Sequence, residues 1–317
     1  MNARALLGKL GPLLGLIGVY VFFALAVRIH TGYNSFATWG NLQTIIIQTA
    51  IVGMAALGMT VIIISGGIDL SSGATVALTS VVVAALLKFL GWPPFPAACG
   101  AVAAGALCGL LNGLMVTRLQ VVPFIITLGT SLMLRGLAKE IADNRTVTPE
   151  ASALDTLMDK SDFLAPGFWM LAVLAAGVSA MLHYTRFGRH VFAIGSNEQA
   201  ARLCGVPVAR TKVLVYVLGG LFAGLAGLFQ YSRLTIGDPT SAPGLELDVI
   251  AAVVIGGASL AGGEGSILGS LVGALFMTTI RSGCSAMEWP NNRTEIVAGA
   301  IIIVAVALDR FRHRRGL

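Results

Sequence analysis

The sequence predicts an all-α, polytopic membrane protein of about ten transmembrane helices with a duplicated, discontinuous-helix core. Of its 317 residues, 56% are hydrophobic and 11% are charged, whereas soluble domains carry about 25% charged residues. The mean hydropathy is +0.84. Apolar runs of about 20 residues, the length that crosses a bilayer, recur along the chain. We therefore expect a single transmembrane domain, residues 1–317, embedded in the lipid bilayer.

Ten apolar segments are predicted as membrane spans. The first follows Arg4 and Lys9, and its end lacks the small-residue cleavage site of a signal peptide, so we interpret it as a retained span. An even number of spans places both termini on the same face of the membrane. The segments are residues 11–29, 42–65, 73–90, 95–117, 121–139, 166–185, 212–232, 247–261, 265–285 and 294–308.

The basic residues indicate which face is cytoplasmic. Under this count a basic loop, residues 186–212, and a basic tail, residues 309–317, share the face of the N-terminus. Lys and Arg are enriched on the cytoplasmic side of membrane proteins, so we expect both termini there and an acidic outer loop, residues 140–165, on the other face. The net charge of +6 follows from this asymmetry. Without interleaved aromatic residues, it does not indicate a nucleic-acid partner.

Two similar stretches each join an apolar span to a break rich in glycine and serine. They are VIIISGGIDLSSGATVALTSVVVAAL from Val61 and AVVIGGASLAGGEGSILGSLVGALF from Ala252. Repeated discontinuous helices at corresponding positions point to a transport pathway, although recurring glycine and serine also suit close helix packing. Both interpretations stay open here. The candidate pathway or hinge residues are Gly66, Gly67, Asp69, Ser71, Ser72, Gly256 and Gly257.

Asp69 is predicted to be the one carboxylate set within the apolar body. A carboxylate there needs hydrogen-bonding or cationic partners. Gly66 and Gly67 can unwind the helix, which would make the segment a hinge or part of the substrate path. We favour a structural role in which Asp69 accepts amides where the next helix begins, near Ser71. With so little buried charge, the sequence offers no counter-ion for a strongly charged substrate.

The polar stretch at residues 186–212 is predicted to contain a short helix. Ser196 followed by Gln199 matches a capping box, and Gly205 and Pro207 predict the helix end. A helix of about two turns is marginal alone and needs a docking surface. A plain cytoplasmic loop would explain the Arg and Lys residues but not the capping residues, so we favour docking of a partner. The predicted contact residues are Ser196, Asn197, Glu198, Gln199, Ala200, Ala201, Arg202, Gly205 and Pro207.

The sequence carries no recognisable catalytic, metal-binding or nucleotide-binding motif. The four histidines lie at span ends or in tails, and neither HExxH nor GxxxxGK[ST] occurs. We therefore expect a transport subunit with no catalytic residues, no metal and no cofactor of its own. If transport runs uphill, ATP and Mg²⁺ must bind to another chain.

Four stretches resemble the permease subunits of bacterial monosaccharide ABC importers, the ribose, xylose and arabinose group. They are GMTVIIISGGIDLSSGATVAL from Gly58, AIGSNEQAARLCGVPVARTKVLVYVLGGLFAGLAG from Ala193, GLELDVIAAVVIGGASLAGGEGSILGSLVGAL from Gly244, and EIVAGAIIIVAVALDRFRHRR from Glu295. The resemblance covers nearly the whole chain.

This resemblance implies an inner-membrane permease that pairs with a second permease copy, either identical or a close paralogue. It implies that a periplasmic sugar-binding protein delivers a neutral sugar and that a cytoplasmic ABC ATPase docks on the predicted contact residues in the 186–212 loop. It also implies that the outer loop lies near the binding protein. The alternative is a self-sufficient secondary sugar transporter or facilitator. That class requires an ion-coupling carboxylate in the membrane, for which Asp69 is the candidate.

Overall fold

A computed structural model describes residues 3–33, 35–159 and 164–314, and this part of the chain is built from α-helices joined by short loops. One short 3₁₀ helix, Ala153–Met158, lies between the fifth and sixth α-helices. The α-helices are α1 (Ala3–Thr31), α2 (Trp39–Ile64), α3 (Ser72–Lys88), α4 (Pro94–Leu119), α5 (Pro123–Ile141), α6 (Pro166–Tyr184), α7 (Arg186–Ser196), α8 (Glu198–Leu203), α9 (Val208–Leu234), α10 (Leu245–Ile255), α11 (Ile267–Ala286) and α12 (Asn291–Arg314).

Each predicted span coincides with a helix, and the all-α, polytopic prediction is confirmed. In the described residues, α1, α2, α4, α6, α9 and α11 are long and apolar enough to cross a membrane. The prediction of a span at residues 247–261 is wrong in extent, because α10 ends at Ile255. At 1.5 Å per residue, its 11 residues reach about 17 Å, little more than half of a bilayer core of about 30 Å.

Helix α2 lies at the centre of the molecule. All of its residues from 49 to 64 are buried, as expected for a helix that is apolar on every side. Helix α9 packs between α2 and α4 through small residues. A Cβ on Gly220 would lie 2.7 Å from the backbone nitrogen of Gly109 on α4, so only glycine permits this approach. The small residues of α9 therefore serve close helix packing.

Two discontinuous helix pairs, α2 with α3 and α10 with α11, form the duplicated core that the sequence predicted. Their breaks are residues 65–71 and 256–266. Helices α2 and α11 run antiparallel and are joined by buried hydroxyl contacts, with Thr60 Oγ1 2.7 Å from Ser270 Oγ. The backbone nitrogen of Gly263 donates to the carbonyl oxygen of Ile64 at 2.9 Å. Both breaks therefore meet at one end of the bundle, beside α7, and we call that end the α8 face.

The predicted outer loop lies at the opposite end of the bundle and folds onto the end of α9. The backbones of Val147 and Gly237 exchange two hydrogen bonds of 2.8 Å. The 3₁₀ helix begins with a capping box between Ser152 and Asp155, and the backbone nitrogen of Met158 donates to Ser232 Oγ at 2.9 Å. The described part of this loop is therefore held against the core, while residues 160–163 lie outside the described residues.

Candidate functional site

The basic stretch at residues 186–212 contains α7, α8 and the start of α9, so the prediction of one short helix there missed α7. The predicted capping box is wrong, because Ser196 is the last residue of α7. Asn197 caps α8 instead, and its Oδ1 accepts a hydrogen bond from the backbone nitrogen of Ala200 at 2.9 Å. Asn and Ser are equally good caps. The choice between neighbouring positions therefore depended on where α7 stops.

The predicted end of the short helix at Gly205 is confirmed. Gly205 has a φ of +79°, the left-handed conformation that glycine adopts freely. Its nitrogen donates to the carbonyl oxygen of Arg202, and the nitrogen of Val206 donates to that of Ala201. This paired arrangement is the Schellman motif that terminates helices.

Helix α8 presents one polar, exposed side and one buried side. Ala201 is 5% exposed and packs with Ile194 and Val208, so this predicted contact residue supports α8 from beneath and offers no surface. Leu203 is 90% exposed. The remaining predicted contact residues are exposed, except for the half-buried Glu198; they are Ser196, Asn197, Gln199, Ala200, Arg202, Gly205 and Pro207.

Glu198 ties α8 to the first turns of α9. Its carboxylate lies 2.5 Å from Lys212 Nζ and 3.1 Å from Arg202 Nη2. The hydrogen bond from Lys212 is the main cause that lowers the pKa of Glu198, and the charge of Arg202 lowers it further. The side chain is 39% exposed, so water screens much of this attraction. The ion pairs orient α8 more than they stabilise the fold.

The end of α7 touches both breaks at a set of glycines, Gly66, Gly195, Gly262 and Gly263, which we call the glycine junction. A Cβ on Gly195 would lie 2.5 Å from the nitrogen of Gly263 and closer still to the carbonyl oxygen of Ile64. A Cβ on Gly262 would lie 2.8 Å from the oxygen of Gly195. Three separate segments thus meet backbone to backbone. Sequence reasoning selected Gly66 but missed Gly195, because a glycine within a helix does not indicate its distant neighbours.

The first break is held by a buried polar cluster centred on Asp69. Asp69 Oδ1 accepts hydrogen bonds from the nitrogen of Ser71 at 2.8 Å and from Ser71 Oγ at 2.6 Å. Asn112 Nδ2 on α4 donates to Ser71 Oγ at 2.8 Å, and Thr127 on α5 accepts from the nitrogen of Leu70. Asp69 therefore accepts one amide beside the start of α3 at Ser72, but the N-cap is Ser71 and no side chain caps this helix. The part of Asp69 in a hinge or path stays a prediction.

The other candidate pathway residues shape the two breaks through their backbones. Gly67 lies against the hydroxyl of Tyr216, which donates to the carbonyl oxygen of Ile68 at 3.3 Å. Ser72 Oγ donates to the carbonyl oxygen of Asp69 at 3.4 Å. Gly256 ends α10 against the backbone of Gly269. Gly257 follows with a φ of +94°, which only glycine adopts readily.

A polar cavity of about 500 Å³ opens at the end of the bundle opposite the α8 face. Its walls come from the ends of α2, α9, α10, α11 and α12. The side chains that carry its polar character are Asn41, Thr44, Gln48, Gln230, Arg233, Asp248, Thr278, Arg281, Ser282, Ser285, Asn291 and Thr294. Gln48 and Gln230 are single polar residues within apolar spans, and no pattern in the sequence indicated that they meet.

An ion pair lies in the wall of this cavity. Arg281 Nε is 2.6 Å from Asp248 Oδ2, and Asp248 is 4% exposed. The prediction that Asp69 is the only carboxylate in the apolar body is therefore wrong. Asp248 was overlooked because the residues around it in the predicted span 247–261 are apolar. It lies in the first turn of α10. An acidic side chain is favourable there because of the helix dipole.

The cavity is closed toward the α8 face. Below it, Met54 and Leu57 on α2 are fully buried. The backbones of Gly273 on α11 and Ala252 on α10 approach so closely that a Cβ on Gly273 would overlap the Ala252 carbonyl group. The glycine junction then seals the end. The described residues thus adopt an arrangement that is open at one end and closed at the other.

Spanning helices, a duplicated pair of broken helices and a one-sided polar cavity define a multi-pass membrane permease. Residues 41–306 match the family model described as "Branched-chain amino acid transport system / permease component", and the chain belongs to this family. No solved structure matches the chain.

Curated relatives match over nearly their full lengths. The chain is 39% identical to the ribose import permease protein RbsC of Bacillus subtilis, which aligns over 95% of this chain and 92% of that protein. It is 34% identical to the L-arabinose ABC transporter permease protein AraH of Azospirillum brasilense, over 94% and 88%. It is 32% identical to the xylose transport system permease protein XylH of Escherichia coli, over 95% and 91%.

Proposed function

We propose that this chain is the permease subunit of an ATP-driven importer of a neutral monosaccharide. The printed names of its relatives support this function, since they are a ribose import permease protein, an L-arabinose ABC transporter permease protein and a xylose transport system permease protein. The polar cavity is chemically suited to such a solute. The protein would move the sugar by alternating exposure of its core to the two sides of the bacterial inner membrane.

The α8 face is the proposed docking surface for a cytoplasmic ABC ATPase that binds the ATP and Mg²⁺. The glycine junction is the observation that carries this assignment. Because the end of α7 contacts Ile64, Gly262 and Gly263 directly, a displacement of α7 and α8 must move both breaks at once. A ligand drives such a change only by preferring one state. The ATPase would supply that preference when it binds and releases ATP.

With the ATPase docked on the α8 face, that face and both termini lie in the cytoplasm in this proposal. A periplasmic sugar-binding protein then delivers sugar at the open cavity, beside the folded outer loop. A second permease copy, identical or closely related, completes the transporter in this proposal. Large apolar side chains exposed on α5, including Ile125, Leu132 and Met133, are available to lipid or to that copy.

The alternative of a self-sufficient secondary transporter is not favoured. Its candidate coupling carboxylate, Asp69, already accepts two hydrogen bonds from Ser71, and Asp248 is paired with Arg281. Two of the relatives named above are an import permease and an ABC transporter permease. A facilitator also does not need a helix, such as α7, that contacts both breaks and can transmit the movement of a partner.

Reconstitution separates the two functions. The chain is placed in proteoliposomes with a cognate ABC ATPase and sugar-binding protein, and uptake of labelled ribose, arabinose and xylose is measured with and without ATP. Uptake that requires both the ATPase and ATP is expected. Uptake by the chain alone at the same rate would contradict the proposal.

The docking surface has its own test. Replacement of residues 198–202 by glycine and serine, or Gly205→Leu, should abolish ATP-driven uptake while membrane insertion stays normal. The expected cause is loss of a defined α8. Arg293→Lys, an exposed substitution on α12 at the far end of the molecule, serves as control. Normal ATP-driven uptake by the α8 variants would remove the docking assignment.

A further inference from the structure

The cavity at the open end combines hydrogen-bond donors and acceptors that are not used by the fold. Among the described residues, the side-chain amides of Gln48 and Gln230 and the guanidinium of Arg233 have no hydrogen-bond partner, although all three line the cavity. Polar groups on a cavity wall that remain unpaired are free for a ligand. Ligand pockets of about 300–1,000 Å³ with a few convergent polar groups are typical of small-molecule sites.

The ion pair in the wall is also incompletely satisfied. Arg281 Nε lies 2.6 Å from Asp248 Oδ2, yet its N–H is not aligned for a hydrogen bond with any acceptor in the described residues. Asp248 Oδ1 likewise has no partner among those residues. The two charges compensate each other while leaving both groups able to form further hydrogen bonds. Ionisable residues inside a membrane bundle mark substrate paths more often than they stabilise the fold.

We infer that this cavity is a binding site for the transported sugar within the permease itself, with Asp248 and Arg281 as its recognition pair. The inference rests on the proposed function and adds the site and its residues. A sugar hydroxyl both donates and accepts, so it can donate to Asp248 while accepting from Arg281. The side-chain amides of Gln48 on α2 and Gln230 on α9 can likewise both donate and accept hydrogen bonds. Trp289 also lines the cavity, and the C–H face of a sugar can pack on its ring.

The paired charges in the cavity wall favour a neutral ligand, although Arg233 leaves the cavity with one uncompensated positive charge. Asp248 and Arg281 cancel, and Arg233 is an exposed cation. A neutral polyol can bind without displacing the ion pair, since it only adds hydrogen bonds to groups that are already charged. An amino acid, the substrate class in the family description, would need to separate the pair so that its ammonium and carboxylate groups could each bind one member.

Protection of an introduced cysteine tests the site directly. The four native cysteines are replaced, and Ser285→Cys places a thiol at the exposed wall of the cavity. The full chain in nanodiscs is labelled with a polar maleimide in the presence of ribose, arabinose, xylose or leucine at about 10 mM, which fills about nine-tenths of a site with a Kd of about 1 mM. We expect at least one sugar to slow labelling severalfold and leucine to have no effect. Gln199→Cys on α8 should be unprotected.

The recognition pair is tested with matched substitutions in the Ser285→Cys background. Asp248→Asn and Arg281→Lys should each raise the half-protecting sugar concentration by about tenfold. Glu295→Gln and Arg293→Lys, exposed changes of the same type on α12, should leave it unchanged. If the pair only braced α10 against α11, the variants would lower the amount of folded protein without changing the half-protecting concentration. Gln230→Leu, which removes a free amide, is the second variant if the charged positions do not fold.

The outcomes separate this inference from the proposed function. No protection by any of the three sugars, protection by leucine instead, or an unchanged half-protecting concentration in Asp248→Asn would each overturn the binding site. ATP-driven uptake in the reconstituted system would survive such a result. Conversely, sugar protection together with uptake that needs no ATPase would overturn the proposed function and leave the binding site in place.

Discussion

Substituting Gly195 with alanine is the sharpest perturbation of the glycine junction. The new Cβ would lie 2.5 Å from the nitrogen of Gly263, whereas apolar atoms rest at about 3.5–4.0 Å. Helix α7 must therefore retreat by roughly 1 Å or more, which would strain the 2.9 Å hydrogen bond from Gly263 to Ile64. Overpacking destabilises by about 1–3 kcal/mol, and the lost hydrogen bond adds about 1 kcal/mol.

Because this strain falls on the state in which α7 contacts both breaks, it should uncouple sugar transport from ATP hydrolysis. A coupling loss of about 1–3 kcal/mol changes a conformational equilibrium by about 5- to 150-fold. In proteoliposomes with the partner ATPase, we expect Gly195→Ala to lower sugar uptake by at least about fivefold while ATP hydrolysis continues. The control is Gly177→Ala on α6, where a Cβ meets nothing within 4 Å; alanine there should be neutral or slightly stabilising. Unchanged sugar uptake per ATP in Gly195→Ala would refute the junction as the coupling element.

Three further predictions concern the cap, the ion pair and the first break. Asn197→Ala should destabilise α8 by about 1 kcal/mol and weaken ATPase binding, whereas Ser196→Ala should be nearly neutral in the same binding titration. The pKa of Glu198 is lowered by Lys212, so its stabilisation is complete above the ordinary value of 4.5 and is lost as the pH falls through the folded pKa below it. Glu198→Gln should therefore lower the melting temperature at pH 7, with a loss of less than about 1 kcal/mol in the free energy of unfolding, and should not lower it in strong acid. An equal effect at both pH values would contradict the ion pair. Asp69→Asn keeps an acceptor for the buried amide of the break and should insert normally, while Asp69→Ala should lose about 1–3 kcal/mol by thermal unfolding.

The local features of the sequence predicted much of the fold and part of the site. Apolar run lengths located every α-helix of the described residues except α7 and α8, and the repeated glycine-serine segments located both breaks. The αL glycine at Gly205 ended α8 where expected. The capping residue of α8 was predicted wrongly because two neighbouring residues, Ser196 and Asn197, are both good N-caps. Only the position at which α7 ends decided that Asn197 caps α8. Ala201 was predicted to contact a partner because it lies in the predicted short helix. It is instead on the side of α8 that packs against Ile194 and Val208.

Long-range contacts were not predictable by the same reasoning. Asp248 and Arg281 lie 33 positions apart in the sequence, on helices that only their antiparallel packing brings together. Helix packing also decided that the unpaired side-chain amides of Gln48 on α2 and Gln230 on α9 line the same cavity. Likewise, Gly195 and the two breaks belong to three separate segments.

By itself, the sequence determined that this chain is an all-helical membrane protein with a duplicated, broken-helix core and a short capped helix in a basic loop. Hydrophobicity and backbone preferences act over a few residues, so they are readable from the chain alone. The tertiary structure decided that α7 seals both breaks at one end and that a charged pair lines an open cavity at the other. Those features depend on which surfaces meet, and close backbone approach leaves no trace in the sequence beyond a glycine.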